Sequence, residues 1–203
     1  MKFICIINLF LLFIFSSLWA EGQVLPEEVF KKRSALYHEN GMLKRCKLKE
    51  TLVVQGYPCE RWLWFHDSGA IAQFQLSKTR MIQNITFPGH STVFLHPNGS
   101  LRSCYFSKDI TVQGLPLNGG YMKIMTSFDG NGRITFCCLS KDTKIQGIPC
   151  KANVFKPVYL YSSGAVRKCT LSMAHIIDGK ENKKGTTLEF ETDGNLKLTQ
   201  SER

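Results

Sequence analysis

The amino-acid sequence predicts an all-β protein, in which tandem antiparallel β-hairpin repeats of about 30 residues form an extended or solenoid-like sheet. The first observation is a glycine that recurs about every 30 residues, each time after a small turn residue (Asn, Ser or Asp). The second is an aliphatic residue two positions after each glycine, and the third is an aromatic or aliphatic residue four positions before it. The turn glycines are Gly41, Gly69, Gly99, Gly132, Gly164 and Gly194.

The residues around each turn glycine predict the first hairpin of a repeat. Apolar residues alternate with polar ones up to an Asn-Gly or Ser-Gly turn, which is a strong short-range hairpin signal. A three-residue loop that ends in glycine would pair the residue four positions before it with the residue two positions after it. The residues two and five positions after the glycine are both apolar, although a regular strand would place them on opposite faces. An extra residue between them, which is a β-bulge, would put both on the same face.

A second turn signal follows in each repeat. Residues 54–59 (Val-Gln-Gly-Tyr-Pro-Cys) recur with small changes at 112–117 and 145–150, and repeat two has Asn84 in place of the glycine. Asn is the residue that best replaces glycine where φ is positive, so a left-handed backbone is expected at this position. Each repeat is therefore predicted to be a hairpin followed by a short third extended segment.

The ends of the chain carry separate predictions. Residues 1–20 have the pattern of a signal peptide, with a basic start, an apolar run and cleavage after Ala20. The alternative is an uncleaved anchor, although the apolar run is shorter than the roughly 20 residues that a membrane span needs. Residues 21–36 are predicted to form an N-terminal cap segment with a helical turn near Glu27. Residues 37–200 are predicted to form a single β-repeat domain of five repeats and a C-terminal half repeat.

The hairpin half of each repeat resembles a known family. Residues 37–44 (Tyr-His-Glu-Asn-Gly-Met-Leu-Lys), 128–134 and 190–197 are similar to the bacterial variant of the MORN repeat, which has an aromatic pair, a short Asn-Gly or Asp-Gly turn and a Lys-Leu-Lys end. The segment with Gln-Gly and Pro-Cys is an addition to that pattern. The resemblance implies a β-hairpin array that is mostly non-catalytic and serves in protein interaction, scaffolding or membrane contact.

Charge limits the classes of partner. The chain has a net charge of +10, and removal of Lys2 with the predicted signal peptide leaves +9. This balance favours anionic partners such as acidic glycans or lipid surfaces, or it serves only to keep the protein dispersed. The Lys and Arg residues are spread over all repeats without a basic cluster interleaved with aromatics, so no nucleic acid is expected.

The cysteines predict disulfides in an exported protein. Cysteine occupies two columns of the repeat, five and eighteen residues after the turn glycine, and repeats one and four have cysteine in both. Repeat two has phenylalanine in both, so the two positions are expected to touch. Candidate disulfides are therefore Cys46–Cys59 and Cys137–Cys150. The alternative is that these thiols are small buried hydrophobic groups. Cys104, Cys138 and Cys169 would remain.

The sequence contains no pattern that predicts catalysis, a cofactor or a metal site. There is no closely spaced Cys pair of the kind that binds zinc, no phosphate-binding glycine loop and no nucleophile elbow. His38, His66 and His96 share one position before the turn, but repeats two strands apart place them roughly 10 Å from each other. They are predicted to be polar turn residues. We expect a protein that is not an enzyme.

The candidate contact surface is the pair Trp62 and Trp64, which alternates with Leu63 and therefore lies on one face of a strand. An exposed tryptophan face would be a contact surface, and the alternative is core packing at a repeat junction. The predicted function is non-catalytic binding or scaffolding of an unidentified macromolecule by an exported protein, which would be periplasmic, on the outer surface or secreted. The alternative function is a peripheral envelope protein held on anionic lipid or glycan by its charge. Exposed terminal strands favour self-association.

Overall fold

A computed structural model describes residues 25–120, 122 and 124–197. The predicted signal peptide lies outside these residues. The described chain divides into two compact units. The first contains the described residues up to Ser77 together with Pro97–Gly99, and the second contains Lys78–His96 and the residues from Ser100 onward. The single domain predicted for residues 37–200 stays a prediction.

The first unit contains five antiparallel strands. Their order is β1-β2-β4-β5, and β3 pairs with the first part of β4. The strands are β1 (Leu36–Tyr37), β2 (Leu43–Lys47), β3 (Leu52–Val54), β4 (Tyr57–Phe65) and β5 (Ile71–Leu76).

The second unit repeats the same plan. One sheet has the order β8-β9-β12-β13-β16-β17-β20, and four short hairpins, β6-β7, β10-β11, β14-β15 and β18-β19, accompany it. The strands are β6 (Arg80–Ile82), β7 (Ile85–Phe87), β8 (Thr92–Leu95), β9 (Leu101–Tyr105), β10 (Ile110–Val112), β11 (Leu115–Leu117), β12 (Met125–Phe128), β13 (Ile134–Cys137), β14 (Thr143–Ile145), β15 (Ile148–Cys150), β16 (Val158–Leu160), β17 (Val166–Thr170), β18 (His175–Ile177), β19 (Lys180–Asn182) and β20 (Thr187–Glu189). The prediction of an all-β fold built from antiparallel hairpins is confirmed.

The first hairpin of every repeat has the predicted register. Within each loop the glycine has positive φ, for example +81° at Gly41 and +82° at Gly69, a conformation that glycine adopts without a Cβ penalty. The loop is closed by a backbone bond such as His38 N–H to Met42 O, 2.8 Å. The predicted pairs are Tyr37–Leu43, Phe65–Ile71, Leu95–Leu101, Phe128–Ile134, Leu160–Val166 and Phe190–Leu196.

The structure also locates the predicted β-bulge. In the first hairpin Tyr37 pairs with Leu43 and Leu36 pairs with Arg45, so Lys44 is the extra residue. The same shift falls three residues after the turn glycine in repeats two to five, at Ala72, Arg102, Thr135 and Arg167. One extra residue changes which face the following side chains occupy. Residues two and five positions after the glycine therefore both face the core.

The second turn differs from the predicted single extended segment. It is a hairpin of two short strands joined by a two-residue loop, as in the pairing of Val54 with Tyr57. Both loop residues have positive φ, +47° at Gln55 and +82° at Gly56, which is the type I′ turn that fits the twist of short hairpins. Asn84 has φ +63° as expected, but the preceding Gln83 is left-handed too, at +46°.

Side-chain amides from these second turns connect neighbouring repeats. Gln55 donates from Nε2 to the Gly69 carbonyl at 2.8 Å and accepts from the Ile71 N–H at 2.8 Å. Gln113 makes the same two contacts with Gly132 and Ile134, at 2.7 and 3.1 Å. These tertiary hydrogen bonds favour a glutamine in a backbone conformation that usually suits Gly, Asn or Asp.

The core is formed by one face of each sheet together with the short hairpins. Its side chains come from repeated columns, including the positions five, seven and eighteen residues after the turn glycine. The residues at those three positions that are at most 3 % exposed are Cys46, Leu48, Cys59, Phe74, Leu76, Phe87, Cys104, Phe106, Leu117, Cys137, Leu139, Cys150, Cys169 and Leu171. Removal of this apolar surface from water is the main stabilising contribution to such a fold.

Short elements lie at both ends of the described chain. The described part of the predicted cap segment forms two three-residue 3₁₀ helices, Glu27–Val29 and Lys32–Ser34. It buries Leu25 and Phe30 and pairs Phe30 with Leu48. At the other end, the half repeat pairs Phe190 with Leu196.

Candidate functional site

In each unit, the sheet face opposite the core carries half-exposed aromatic side chains, and we call this face the outer face of that unit. Strand β4 shows the alternation most clearly, since Leu63 and Phe65 are 0 % and 6 % exposed on the core side. Trp62 and Trp64 lie on the other side and are half-buried, with ring centroids 5.9 Å apart. The tryptophan pair is thus not packed in the core.

In the first unit, basic residues flank the two tryptophans. Arg45 lies opposite Trp64 and Lys47 lies opposite Trp62 in the register of β2 and β4. The guanidinium carbon of Arg45 is 5.4 Å from the ring centroid of Trp62, within cation–π range. The Nε of Arg45 is covered and has no hydrogen-bond acceptor among the described residues. The Arg45 guanidinium is therefore positioned by its contact with the face of the Trp62 ring.

In the second unit, the outer face presents a continuous row of directly opposed residues. Two ring pairs lie on this face, Phe94–Tyr105 at 5.3 Å and Phe136–Tyr159 at 5.2 Å between centroids, both edge to face. Such pairs contribute roughly 0.5–1.5 kcal/mol beyond their burial. The row, in strand order, is Phe94, Ser103, Ser127, Phe136, Tyr159, Lys168 and Glu189.

The bulge residues add guanidinium groups to this row. Arg102 lies over the Phe94 ring at 5.7 Å and Arg167 lies over the Tyr159 ring at 5.2 Å. Both arginines are exposed. In each pair the arginine follows the aromatic residue by eight positions, so the sequence shows no basic cluster interleaved with aromatics. The register and the bulge bring them together.

A groove of about 460 Å³ lies on the outer face of the second unit. Residues of β12, β13, β16 and β17 line it, together with Tyr161 and Ser162 of the loop between β16 and β17. They include the rings of Phe136, Tyr159 and Tyr161, the hydroxyls of Ser127 and Thr135, and Arg167. The Tyr161 hydroxyl already donates to the Phe190 carbonyl at 2.9 Å. The groove is therefore an aromatic depression with a cation at its edge.

The acidic residue in the row is balanced by lysines. Glu189 is 3.7 Å from Lys168 and 3.5 Å from Lys197, in partly exposed ion pairs. Exposed pairs of this kind contribute little stability, but they balance the charge of the Glu189 carboxylate. Among the described residues that line the groove, Arg167 is the charged one.

The histidine column has a structural role at the hairpin loops. His38 Nε2 lies 3.0 Å from the Phe65 carbonyl of the next repeat, and Tyr161 reaches Phe190 from the same repeat position. Asp129, also at this position, accepts from the N–H groups of Asn131 and Arg133, both at 2.9 Å. Burial alone would raise the pKa of Asp129, but hydrogen bonds with Arg133, Ser162 and Asn131 outweigh burial and lower that pKa. Within the described part of the chain, no three His, Cys, Asp or Glu side chains are grouped as metal ligands.

The seven described cysteines are all buried and present as thiols. Burial raises the pKa of Cys46 to about 11 and those of Cys59 and Cys137 to about 12. A hydrogen bond with Cys169 of the next repeat raises the pKa of Cys150 well above its usual range.

The cysteine that lies eighteen residues after the turn glycine also contacts the next repeat. Cys59 pairs with Leu76, and Cys150 pairs with Leu171. Within repeat four, Cys137 lies close enough to Cys150 for its charge to raise the pKa of Cys150. The disulfides Cys46–Cys59 and Cys137–Cys150 stay predictions.

No family model, curated protein or solved structure matches this chain. In the described range, no helix is long and apolar enough to span a membrane.

Proposed function

We propose that this chain is a non-catalytic exported protein that binds another macromolecule in the cell envelope or outside the cell through the outer face. The observation that carries the proposal is the pair Trp62 and Trp64. Their rings lie side by side, half-exposed, on the sheet face opposite the core. Tryptophan, tyrosine and arginine are the residues that dominate binding energy at interfaces. All three types are present on the outer face.

The non-catalytic part of the proposal is supported by how the polar side chains are used. Gln55, Gln113 and His38 are occupied in contacts between repeats. The Oδ1 atom of Asp129 accepts two hydrogen bonds within its own turn. Catalytic groups instead converge on one reacting atom. We propose export from the pattern of residues 1–20, and membership in a MORN-like family from the hairpin half of the repeats.

The test is retention of the protein on the envelope fraction of the cells that produce it. The variant Trp62→Ala/Trp64→Ala removes both rings. The matched control Val53→Ala/Met81→Ala removes two apolar side chains that are 59 % and 64 % exposed but lie in the second hairpins. Cosedimentation is measured for both variants and the unchanged protein, at low and at high salt.

We expect the unchanged protein and the control to sediment with the envelope and the double tryptophan variant to stay in solution. Retention of the tryptophan variant would contradict the outer face as the contact surface. Retention that disappears for all proteins at high salt would favour a peripheral protein held by charge, because a Debye length falls to about 3 Å at 1 M salt.

A further inference from the structure

We propose that the groove on the outer face of the second unit binds an acidic sugar of an anionic polysaccharide, with the sugar ring on Tyr159 and Phe136 and its acid group on Arg167. This inference rests on the proposed function, since it names the class of macromolecule that the outer face binds. It depends on three features of the groove: its rings, its charge and its hydroxyl groups.

The rings provide an apolar surface in a polar surrounding. Phe136 and Tyr159 are directly opposite each other on β13 and β16 and are half-exposed. Their contact is edge to face, with planes at 73°, and both rings line the groove. The C–H groups of a sugar ring pack on such a surface, while its hydroxyls stay in water.

The charge selects an acidic ligand. Arg167 is exposed at the groove, and its guanidinium is held at 5.2 Å over the Tyr159 ring. No Asp or Glu is among the residues that line the groove. Lys168 is already paired with Glu189. A planar guanidinium held in place suits the two oxygens of a carboxylate or sulfate.

The side-chain hydroxyls at the groove and the row of outer-face residues beside it suit a chain of linked sugars. Ser127 and Thr135 supply side-chain hydroxyls at the groove, which donate and accept hydrogen bonds as sugar hydroxyls do. The row of outer-face residues continues beyond the groove through Ser103 to Phe94 and Arg102. A second ring with a guanidinium over it lies four strands away, about 19 Å at 4.8 Å per strand.

The test uses the protein purified from the cells that produce it and four probes: heparin, polygalacturonate, neutral dextran and a single-stranded DNA oligonucleotide. Binding is measured by calorimetry at 150 mM salt. The informative variants are Arg167→Gln and Tyr159→Ala. Lys144→Gln is the matched charge control, because Lys144 is an exposed cation of the short hairpin strand β14. Tyr159→Phe keeps the ring.

We expect binding of heparin or polygalacturonate, which separates a sulfate from a carboxylate preference, and none of dextran. Arg167→Gln and Tyr159→Ala should each raise Kd about tenfold, equivalent to about 1.4 kcal/mol, while Lys144→Gln and Tyr159→Phe leave it within about twofold. Equal effects of Arg167→Gln and Lys144→Gln, equal binding of dextran, or tighter binding of the oligonucleotide would overturn the inference. If no acidic polysaccharide binds while envelope retention still depends on Trp62 and Trp64, this inference fails and the proposed function stands.

Discussion

Replacement of Gln55 by alanine should destabilise the protein measurably, because its side chain fastens the second turn of repeat one to the hairpin loop of repeat two. The change removes a donor to the Gly69 carbonyl and an acceptor from the Ile71 N–H, both at 2.8 Å. Each such bond contributes about 1 kcal/mol net. Ile71 is only 3 % exposed, so its N–H has little access to water as a replacement partner.

The expected loss in free energy of unfolding is therefore about 2 kcal/mol, which corresponds to about 4–8 °C in Tm for a chain of this size. The assay is urea unfolding followed by far-UV circular dichroism. Gln146→Ala is the matched control, because Gln146 has the same turn position and φ +47°. It is exposed, and within the described part of the chain its side chain makes no hydrogen bond. The control should change stability by less than about 0.5 kcal/mol. Equal effects of the two substitutions would refute the role of the glutamine amide as a connection between repeats.

Two further predictions concern packing and pH. Gly119→Ala should destabilise the protein by about 1–3 kcal/mol, because an added Cβ would collide with the backbone carbonyl of Lys108. Gly130→Ala, which has open space around its Cβ position, should be nearly neutral in the same thermal melt. The reduced protein should lose stability as pH rises from 9 to 11, since unfolded thiols release protons near pH 9 while the folded pKa values of Cys46 and Cys59 are about 11 and 12. The slope should approach about 1.4 kcal/mol per pH unit for each such thiol, and Cys59→Val should reduce it. A urea midpoint that is independent of pH over this range would contradict free buried thiols in the folded state.

The first hairpin of each repeat was predictable because its turn chemistry is local. A glycine after Asn, Ser or Asp fixes the loop, and the loop fixes the pairing of Tyr37 with Leu43. The position of the bulge at Lys44 was not predictable, since the parity change only restricted it to the residues between Leu43 and Cys46.

The second turn shows where local reasoning fails. Glutamine is not among the residues that favour positive φ, so Gln-Gly suggested one left-handed residue instead of two. What stabilises Gln55 at φ +47° is its contact with Gly69 and Ile71. Those residues are 14 and 16 positions away, and no local pattern contains that contact.

The candidate site was predictable in part. The alternation of Trp62 and Trp64 with Leu63 placed both rings on one face, but it left open which face is buried. The pairing of Arg167 with the Tyr159 ring depends on strand register and on the bulge residue itself. A search for residues three positions after each turn glycine, combined with those five positions before it, would have found this pair and Arg102 with Phe94.

The most direct test of the outer face as the contact surface is hydroxyl-radical footprinting of the purified protein with and without envelope material from the producing cells. Mass spectrometry compares oxidation of Trp62, Trp64 and Tyr159 with that of Met81 and Phe155, which are 64 % and 85 % exposed and are not among the residues that line the groove. We predict that the partner protects the three outer-face side chains and leaves the two reference side chains unchanged. Protection of Met81 or Phe155 together with full oxidation of the outer face would contradict the account.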